Sequence, residues 1–305
     1  MRWGEKRYHS LDYELKQMFK EKVYKIALNG GMTCPNRDGH VGTGGCIFCS
    51  SQGSGDFAGS ARLSIAEQIR QGKADISSKR PVHSYIAYFQ AFTNTYAPVE
   101  TLRALYMEAI ADPEVKILSI ATRPDCLGAD VLALLDEINH IKPVWVELGL
   151  QTIHPETSAY IRRGYELSVF EQAVKELRAI GITVIVHTIL YLPGETKDDM
   201  LDTIHYLNHM DIQGIKLQLL HVLTHTDLAA DYEKHPFYIP DMQDYIQFLG
   251  TCIAQLNPEI VIHRLTGDGP KDLLIAPLWT SNKRTVLNQL HSHLKEIRLG
   301  KWLVL

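Results

Sequence analysis

The stretch CPNRDGHVGTGGCIFC, residues 34–49, holds three of the five cysteines of this chain in the spacing C-x11-C-x2-C. A cubic cluster of four irons and four sulfides usually takes four cysteine ligands. The three thiolates of Cys34, Cys46 and Cys49 would leave one iron without a protein ligand and able to bind a small molecule. The stretch therefore predicts a [4Fe-4S] cluster with one open coordination position.

Three other interpretations of these cysteines stay open at the level of the residues. A structural zinc ion would need a fourth ligand, which His40 can supply. A disulfide is disfavoured because nothing in the sequence suggests export to an oxidising compartment. Inert thiols rarely cluster at this spacing in a glycine-rich loop. The other two cysteines, Cys126 and Cys252, are isolated, and we predict that they are structural thiols.

The composition is that of an ordinary globular protein. Of 305 residues, 45% are hydrophobic and 22% are charged, which is enough to build a sizeable core. No apolar run reaches the length of a membrane span, and the first residues, MRWGEKRYHSLDYELK, contain no apolar signal core. We therefore predict a cytoplasmic protein that does not associate with membranes. In that reducing compartment clustered cysteines are typical of metal ligands.

The fold class follows from an alternation of apolar segments with helical patterns. The predicted strands are residues 23–28, 83–90, 115–121, 143–150, 183–190 and 214–220. Near-continuous apolar strands separated by helices indicate a parallel sheet covered by helices. Right-handed connections curl six such units into an open part of a barrel. The prediction is an α/β fold, a partial (β/α)6 TIM barrel.

The chain divides into two parts without a linker between them. Residues 1–220 are predicted to form the barrel core with an N-terminal extension. Residues 221–305 are predicted to be a C-terminal α/β extension packed on the barrel. Within the extension, residues 221–240 lack clear periodicity. A helix at 242–256, a strand at 260–263 and a helix at 283–297 follow.

The charge distribution suggests a partner. The formal net charge is −4, which gives no general attraction to nucleic acid. Residues 1–25 nevertheless carry seven basic against four acidic side chains, and residues 281–305 carry five against one. The two ends are either solvated faces or basic edges that bind a polyanion. In the second case we expect Lys6, Arg7 and Lys20 on the rim near the barrel mouth.

Polar residues at the strand ends are the candidates for chemistry, because the active site of a parallel barrel lies at the carboxyl ends of its strands. The candidates outside the cysteine loop are Gln90, Arg123, Asp125, Glu147, Gln151, His187, Glu195, Lys216, Gln218 and His221. Glu147, inside an apolar strand, either contacts a ligand ammonium or forms a buried ion pair with Arg123 or Lys216. Gln151 and His187 either contact ligand or are satisfied core residues. The loop LPGET, residues 192–196, either contacts an adenine edge or is an ordinary helix cap.

Together these features resemble the radical S-adenosylmethionine (SAM) superfamily over roughly residues 20–225, and the resemblance to one group within it extends over nearly the whole chain. The motifs ATRPD at 121–125, ELGLQT at 147–152 and LPGET at 192–196 are similar to those of its Elp3-like branch, which includes tRNA-modifying enzymes. The segments RWG at 2–4 and RLTGDG at 264–269 resemble the YhcC/YtqA (MnmL-type) group in particular. The superfamily's usual spacing is C-x3-C-x2-C, and its usual glycine-glycine-glutamate is replaced here by QAF at 90–92.

The resemblance implies cofactors, a reaction and a substrate. The open iron would bind the amino and carboxylate groups of SAM, and an electron would split SAM into methionine and a 5′-deoxyadenosyl radical that abstracts a hydrogen from substrate. The cofactor-binding residues implied are Gln90, Arg123, Glu147, Gln151, His187, Pro193 and Gly194. MnmL-type enzymes trim the carboxymethylaminomethyl group on C5 of tRNA wobble uridine toward aminomethyl. Lys216, His221 and Arg264 would then be catalytic residues facing a flipped-out uridine.

The implied partners are tRNA, an electron donor such as flavodoxin or ferredoxin, and a downstream tRNA methyltransferase. Two alternatives are kept beside this hypothesis. One is radical SAM chemistry on a small molecule or a protein. The other is a zinc-stabilised RNA-binding module without catalysis.

Overall fold

The computed structural model describes residues 3–78, 82–267 and 269–296. Its strands are β1 (Tyr24–Leu28), β2 (Tyr85–Phe89), β3 (Val115–Thr122), β4 (Val144–Gln151), β5 (Thr183–Leu190), β6 (Gly214–Leu219), β7 (Val222–Leu223), β8 (Val261–Arg264) and β9 (Leu274–Ala276). Seven of them form one sheet in the order β1-β2-β3-β4-β5-β6-β8, and every neighbouring pair is parallel. The short strands β7 and β9 pair antiparallel to each other.

Most of the helices follow strands and pack on the sheet. The helices are α1 (Leu11–Phe19), α2 (Ile65–Ser77), α3 (Val99–Ala111), α4 (Ala129–Asn139), α5 (Pro155–Tyr160), α6 (Leu167–Ala179), α7 (Lys197–Asn208), α8 (Asp227–Lys234), α9 (Met242–Gln255) and α10 (Lys283–Glu296). Local sequence explains their starts. Ser64 and Thr196, for example, open α2 and α7 with reciprocal capping bonds to Glu67 and Asp199.

The sheet is an open, partial barrel. Within the large sheet β1 and β8 each have one strand neighbour and do not pair with each other. All five residues of β2 are buried, as expected for a parallel strand with helices on one face and a packed interior on the other. The predicted fold class is confirmed. The seventh strand, β8, comes from the segment predicted to be a C-terminal extension, so this segment also enlarges the sheet.

Helix α1 closes the amino-terminal end of the barrel. Leu15 packs with Ile86, Ile117, Trp145 and Ile185, each of which lies within the first three residues of its strand. The expectation that the basic N-terminal segment lies near the barrel mouth is therefore wrong for Lys20, which follows α1 directly. The cause is the apolar face of α1, which draws the segment to the opposite end of the strands from the cysteine loop. Arg2, Asp268, Ile297, Arg298 and Lys301, used in the sequence predictions, lie outside the described residues.

Across the described ranges, no helix has the length and apolar character needed to cross a membrane.

Candidate functional site

The cysteine loop lies at the carboxyl end of the barrel, directly after β1. Cys34, Cys46 and Cys49 line one cavity of about 210 Å³ together with residues from β2 to β6. The loop is held in shape by Asn36, whose side-chain amide donates to the Arg162 carbonyl at 2.6 Å and to the Cys46 sulfur at 3.6 Å. A donor on a ligating sulfur adjusts the potential of an iron–sulfur cluster, so Asn36 fits that role.

The three thiols are the candidate ligands of the cluster, and burial affects the protonation of two of them. Within the described ranges, no three histidine, cysteine, aspartate or glutamate side chains are arranged around one ion position. Thiolates on a cubic cluster bind different irons and stand farther apart than the ligands of tetrahedral zinc. Burial raises the pKa of the Cys46 thiol to about 12 and also raises the pKa of Cys49. Coordination to iron would therefore displace these protons.

Two arginine side chains, Arg37 and Arg123, line the cysteine cavity. Arg37 donates to the Cys49 and Ser50 carbonyls at 3.1 and 2.6 Å. Arg123 is paired with Asp125 through bonds of 2.9 and 2.7 Å, and it donates to the Arg163 carbonyl at 2.8 Å. The positive charge of Arg37 near Cys49 would compensate part of the negative charge of a thiolate-ligated cluster. The pairing with Asp125 also removes Arg123 as the partner of Glu147.

Glu147 is the centre of a buried ion-pair network inside the barrel. Its side chain is completely buried, and its Oε1 accepts from Lys25 Nζ at 2.7 Å and from Ser119 Oγ at 2.8 Å. Its Oε2 accepts from His187 Nε2 at 2.7 Å and pairs with Lys216. All four donors lie on different strands. Of the two alternatives for Glu147, this arrangement favours the buried ion pair, with Lys216 and the unexpected Lys25 as partners.

The network shifts the ionisation of its members. Burial alone would raise the pKa of Glu147, but Lys216 and Lys25 outweigh it and hold that pKa well below its usual range. Burial lowers the pKa of Lys216 to about 7, with repulsion from Lys25 and Arg264 adding to the effect and Glu147 opposing it. Burial and Lys216 lower the pKa of His187 to about 4, so His187 is neutral at pH 7. The Glu147 carboxylate therefore stays ionised and balances the lysines.

Gln151 combines a strained backbone with an unused acceptor. Its φ of 65° is in the left-handed region that glycine favours, at the end of β4. Its side-chain Oε1 is buried and has no hydrogen-bond partner within the described structure. The side chain lines the cysteine cavity. A strained residue with an orphaned acceptor in a cavity is typical of a ligand site, because a bound hydroxyl or ammonium would satisfy the acceptor.

A second, larger cavity of about 740 Å³ opens through the side of the partial barrel and is here called the lateral cavity. It lies between β1 and α2 on one side and β6 with the segment after β8 on the other. The residues that line both cavities are Phe48, Ser54, Tyr88, Gln90, Gln218 and Arg264. The two cavities therefore meet in the barrel interior. Phe57, which is 59% exposed, lines the lateral cavity.

The structure brings together most of the residues predicted from sequence. The cysteine cavity is lined by all three cysteines and by Gln90, Arg123, Glu147, Gln151, His187, Lys216 and Arg264. His221 lines the lateral cavity instead. Pro193 and Gly194 line neither cavity. Thr196 and Asp199 form both bonds of an N-terminal capping box, which matches the ordinary-cap alternative for that loop.

Sequence reasoning missed three kinds of residue in this site. Lys25 and Tyr88 lie inside predicted strands. A lysine flanked by apolar residues, as Lys25 is, indicates a charge that faces the interior of the barrel. Arg163 donates to the Leu150 and Thr152 carbonyls at 3.0 and 2.7 Å and so fixes the end of β4. Phe57 lies in a glycine-serine loop that carries no regular pattern, so nothing in the sequence marked it.

Comparisons with known proteins agree with this geometry. Residues 36–207 match the family model of the radical SAM superfamily, and residues 212–296 match that of the radical SAM C-terminal domain. The chain is 45% identical over 291 residues to YtqA of Bacillus subtilis, covering 95% of this chain and 90% of that protein. It is 37% identical to YhcC of Escherichia coli K12, covering 93% and 91%.

Solved structures share the fold. Elp3 of Methanocaldococcus infernus, with its N-terminus deleted, superposes with a TM-score of 0.68 at 14% identity, covering 90% of this chain and 63% of that chain. SuiB of Streptococcus suis bound to SAM superposes with a TM-score of 0.53 at 12% identity, covering 84% and 54%.

Proposed function

The chain belongs to the radical SAM superfamily, and on that premise we propose that it modifies tRNA, converting the carboxymethylaminomethyl group on C5 of wobble uridine toward aminomethyl. The family uses a [4Fe-4S] cluster and SAM. When bound, these cofactors supply one-electron, hydrogen-abstracting chemistry, and an electron donor is required. The protein supplies binding, orientation and exclusion of water.

The chain's own residues divide the work between the two cavities. Cys34, Cys46 and Cys49 are the ligands for the cluster, and Asn36 donates to one of the ligating sulfurs. Gln151 offers its buried acceptor to SAM, which carries ribose hydroxyls and an amino group. Gln90 lines both cavities and so can contact SAM and substrate at their junction. The substrate approaches from the lateral cavity, which meets the cysteine cavity from the side.

The observation that carries the proposal is the lateral cavity with the exposed Phe57. A volume of about 740 Å³ is in the range of ligand pockets and accommodates a nucleoside. An aromatic ring that is 59% exposed beside such a cavity is a stacking surface for a base that has left its own stack. Unpaired wobble bases are already accessible in an anticodon loop, so the cost of extruding one is small.

Basic residues near the lateral cavity are suited to phosphate binding. Arg62 precedes α2, which lines this cavity, and Lys271 follows Gly269, which also lines it. Both side chains are exposed. These two residues replace Lys20 as the candidates for phosphate contacts, because Lys20 lies at the opposite end of the barrel.

The decisive experiment is mass spectrometry of tRNA nucleosides from a deletion strain, with the wild-type gene and a Cys46→Ala gene as complements. Accumulation of 5-carboxymethylaminomethyluridine, reversed only by the wild-type gene, supports the proposal. An unchanged nucleoside profile contradicts it and favours a small-molecule or protein substrate, which the lateral cavity would also admit. The product would be a primary amine, a suitable acceptor for a tRNA methyltransferase acting next.

Binding to tRNA in vitro gives an independent test. Removing one basic side chain that neutralises a phosphate should reduce the slope of log affinity against log salt by about 0.7–0.9 unit. We expect Arg62→Gln/Lys271→Gln to weaken tRNA binding and flatten this slope. The matched control is Lys16→Gln/Lys20→Gln at the opposite end of the barrel. If Lys16→Gln/Lys20→Gln weakens tRNA binding as much as Arg62→Gln/Lys271→Gln, the assignment of phosphate binding to the side of the lateral cavity is wrong.

A further inference from the structure

The wall of the lateral cavity contains a carboxylate that no neighbouring cation neutralises. Asp56 lines this cavity, in the loop that follows the three cysteines. Among the residues that the structure describes, no lysine, arginine or histidine forms an ion pair with Asp56. This includes Lys25 and Arg264, which line the same cavity, and Lys25 is paired with Glu147 instead. The Asp56 carboxylate is therefore available to a cationic ligand.

A buried hydroxyl holds the Asp56 carboxylate in place. Ser50 Oγ lies 3.2 and 3.0 Å from the two carboxylate oxygens, and Ser50 is only 4% exposed. The backbone of Ser50 is fixed in turn, because its carbonyl accepts from Arg37 at 2.6 Å and from the Gly53 amide at 3.0 Å. One hydroxyl donates a single hydrogen, so the carboxylate keeps most of its acceptor capacity for a ligand. Asp56 is thus oriented before a ligand arrives.

Asp56 lies beside the junction of the two cavities and outside the cysteine cavity. Ser54, two residues earlier, lines both cavities, and Ser50 directly follows the cluster ligand Cys49. Of the two cavities, Asp56 lines the lateral one and not the one that holds the cysteines. A group bound to Asp56 would therefore be close to the cluster loop without occupying the space next to the thiols.

The surroundings of Asp56 suit an organic ammonium group. The rings of Phe48 and Phe57 line the same cavity, and aromatic faces attract ammonium groups. Asp56 is half-buried, and a carboxylate that is partly removed from water binds a charged donor more strongly than a neutral one. A hard metal ion would require several oxygen ligands, and within the described ranges no group of three acidic, histidine or cysteine side chains surrounds an ion position.

We propose that Asp56 is an ammonium subsite, which binds the protonated amine that the substrate carries beside its base. The inference rests on the proposed function, because the carboxymethylaminomethyl group contains a secondary amine, which is protonated at neutral pH as other alkylamines are. This nitrogen is separated from C5 of the base by a single methylene group. A base stacked on Phe57, the next residue in the chain, places its C5 substituent beside the Asp56 carboxylate.

The subsite has a consequence for the order of tRNA modification. The product keeps the nitrogen as a primary amine, so Asp56 binds substrate and product alike and acts by positioning the C5 substituent at the junction. Unmodified uridine carries no amine and lacks this contact. The subsite therefore selects tRNA in which an earlier reaction has already attached an amine-bearing group to C5.

The test measures dissociation constants for three nucleosides on the cluster-loaded protein by titration calorimetry. The probes are 5-aminomethyluridine, its neutral N-acetyl derivative and 5-carboxymethylaminomethyluridine. We expect both amines to bind at least about tenfold more tightly than the N-acetyl compound, as for a hydrogen bond to a charged group. Asp56→Asn should reduce this preference to less than about threefold.

The matched control is Asp75→Asn, which makes the same change of charge at an exposed residue of the same cavity and should keep the preference. A ratio of dissociation constants within one variant does not depend on the fraction of protein that is folded. A loss of the ratio in Asp56→Asn therefore cannot come from partial unfolding.

Each outcome is decisive. Equal binding of 5-aminomethyluridine and its N-acetyl derivative by the wild-type protein overturns the subsite, as does an absence of binding or a preference that Asp56→Asn retains. A preference that disappears when SAM is saturating also overturns it, because the amine would then have occupied the site of SAM. An amine preference together with unchanged tRNA nucleosides in the deletion strain supports the subsite and refutes the wobble-uridine proposal. Altered tRNA nucleosides without an amine preference do the reverse.

Discussion

Replacing Glu147 by glutamine tests the electrostatic account of the barrel interior, because Glu147→Gln keeps the shape of the side chain and removes its charge. The carboxylate is completely buried and lies 2.7 Å from Lys25 Nζ and 2.7 Å from His187 Nε2, with Lys216 also paired to it. Removing one partner of a buried ion pair costs about 3–5 kcal/mol, because the remaining charge is uncompensated. We expect a loss of this size in the free energy of unfolding at pH 6.

The loss should depend on pH, and its direction follows from Lys216. Its pKa in the folded protein is about 7, below the ordinary lysine value of 10.5. Between these values the unfolded chain binds more protons, so stability rises with pH. Glu147 raises the pKa of Lys216, so we expect the pKa of Lys216 to be lower still in the Glu147→Gln variant. The pH range over which stability rises should therefore begin below pH 7 in this variant. The difference between the two proteins should therefore be larger at pH 6 than at pH 9.

The assay is denaturant unfolding of the two proteins at both pH values, followed by tryptophan fluorescence. Ser119→Ala is the matched control, since it removes a neutral donor to the same carboxylate and should cost about 1 kcal/mol at either pH. Glu147→Gln/Lys216→Met should abolish the pH-dependent part of the loss. A loss below about 1 kcal/mol at pH 6, or the same loss at pH 6 and pH 9, would refute the reasoning.

Three further predictions concern single positions. Cys46→Ala should lose bound iron and SAM cleavage, whereas Cys252→Ala, in the buried core, should keep its iron content by colorimetric assay; full iron in Cys46→Ala would end the cluster assignment. Gln151→Gly should change the unfolding free energy by no more than about 1 kcal/mol, because glycine relieves the positive φ, while SAM affinity measured by calorimetry falls roughly tenfold; unchanged SAM affinity would show that the orphaned acceptor faces no ligand. Phe57→Ala should leave the melting temperature unchanged, since the ring is 59% exposed, and raise KM for tRNA several-fold; an unaltered KM would remove the stacking surface.

The barrel was predictable because its signals are local. Each buried strand is a short apolar run, and β5 begins and ends at the predicted residues. Helix α1 was missed although it has a signal, since Ser10 caps it and Asp12 and Glu14 lie in its first turn. Its nine residues fall below the length at which helical periodicity stands out. The helix α8, eight residues long, was missed for the same reason.

The cysteine triad could be identified from sequence as the candidate ligand set, whereas the ion-pair partners inside the barrel could not. The cysteine spacing carries the cluster prediction by itself, because ligands close in sequence are also close in space. Lys25 and Glu147 are 122 residues apart and lie on strands with two others between them. Their contact depends on the curvature of the whole sheet, which no local pattern records. The lateral cavity is likewise a product of the opening between β1 and β8.

The position of α1 has a consequence for the order of events during synthesis. Leu15 leaves the ribosome early, but Ile185, one of the residues against which it packs, is made about 170 residues later. At 5–20 residues per second, roughly 10–35 s pass between the synthesis of α1 and the synthesis of the last strand residue against which it packs. Ser10 then bridges to Ile262, which is made later still. Although α1 precedes the strands in the chain, it is thus among the last elements to reach its native position, and until then its exposed apolar face is prone to aggregation.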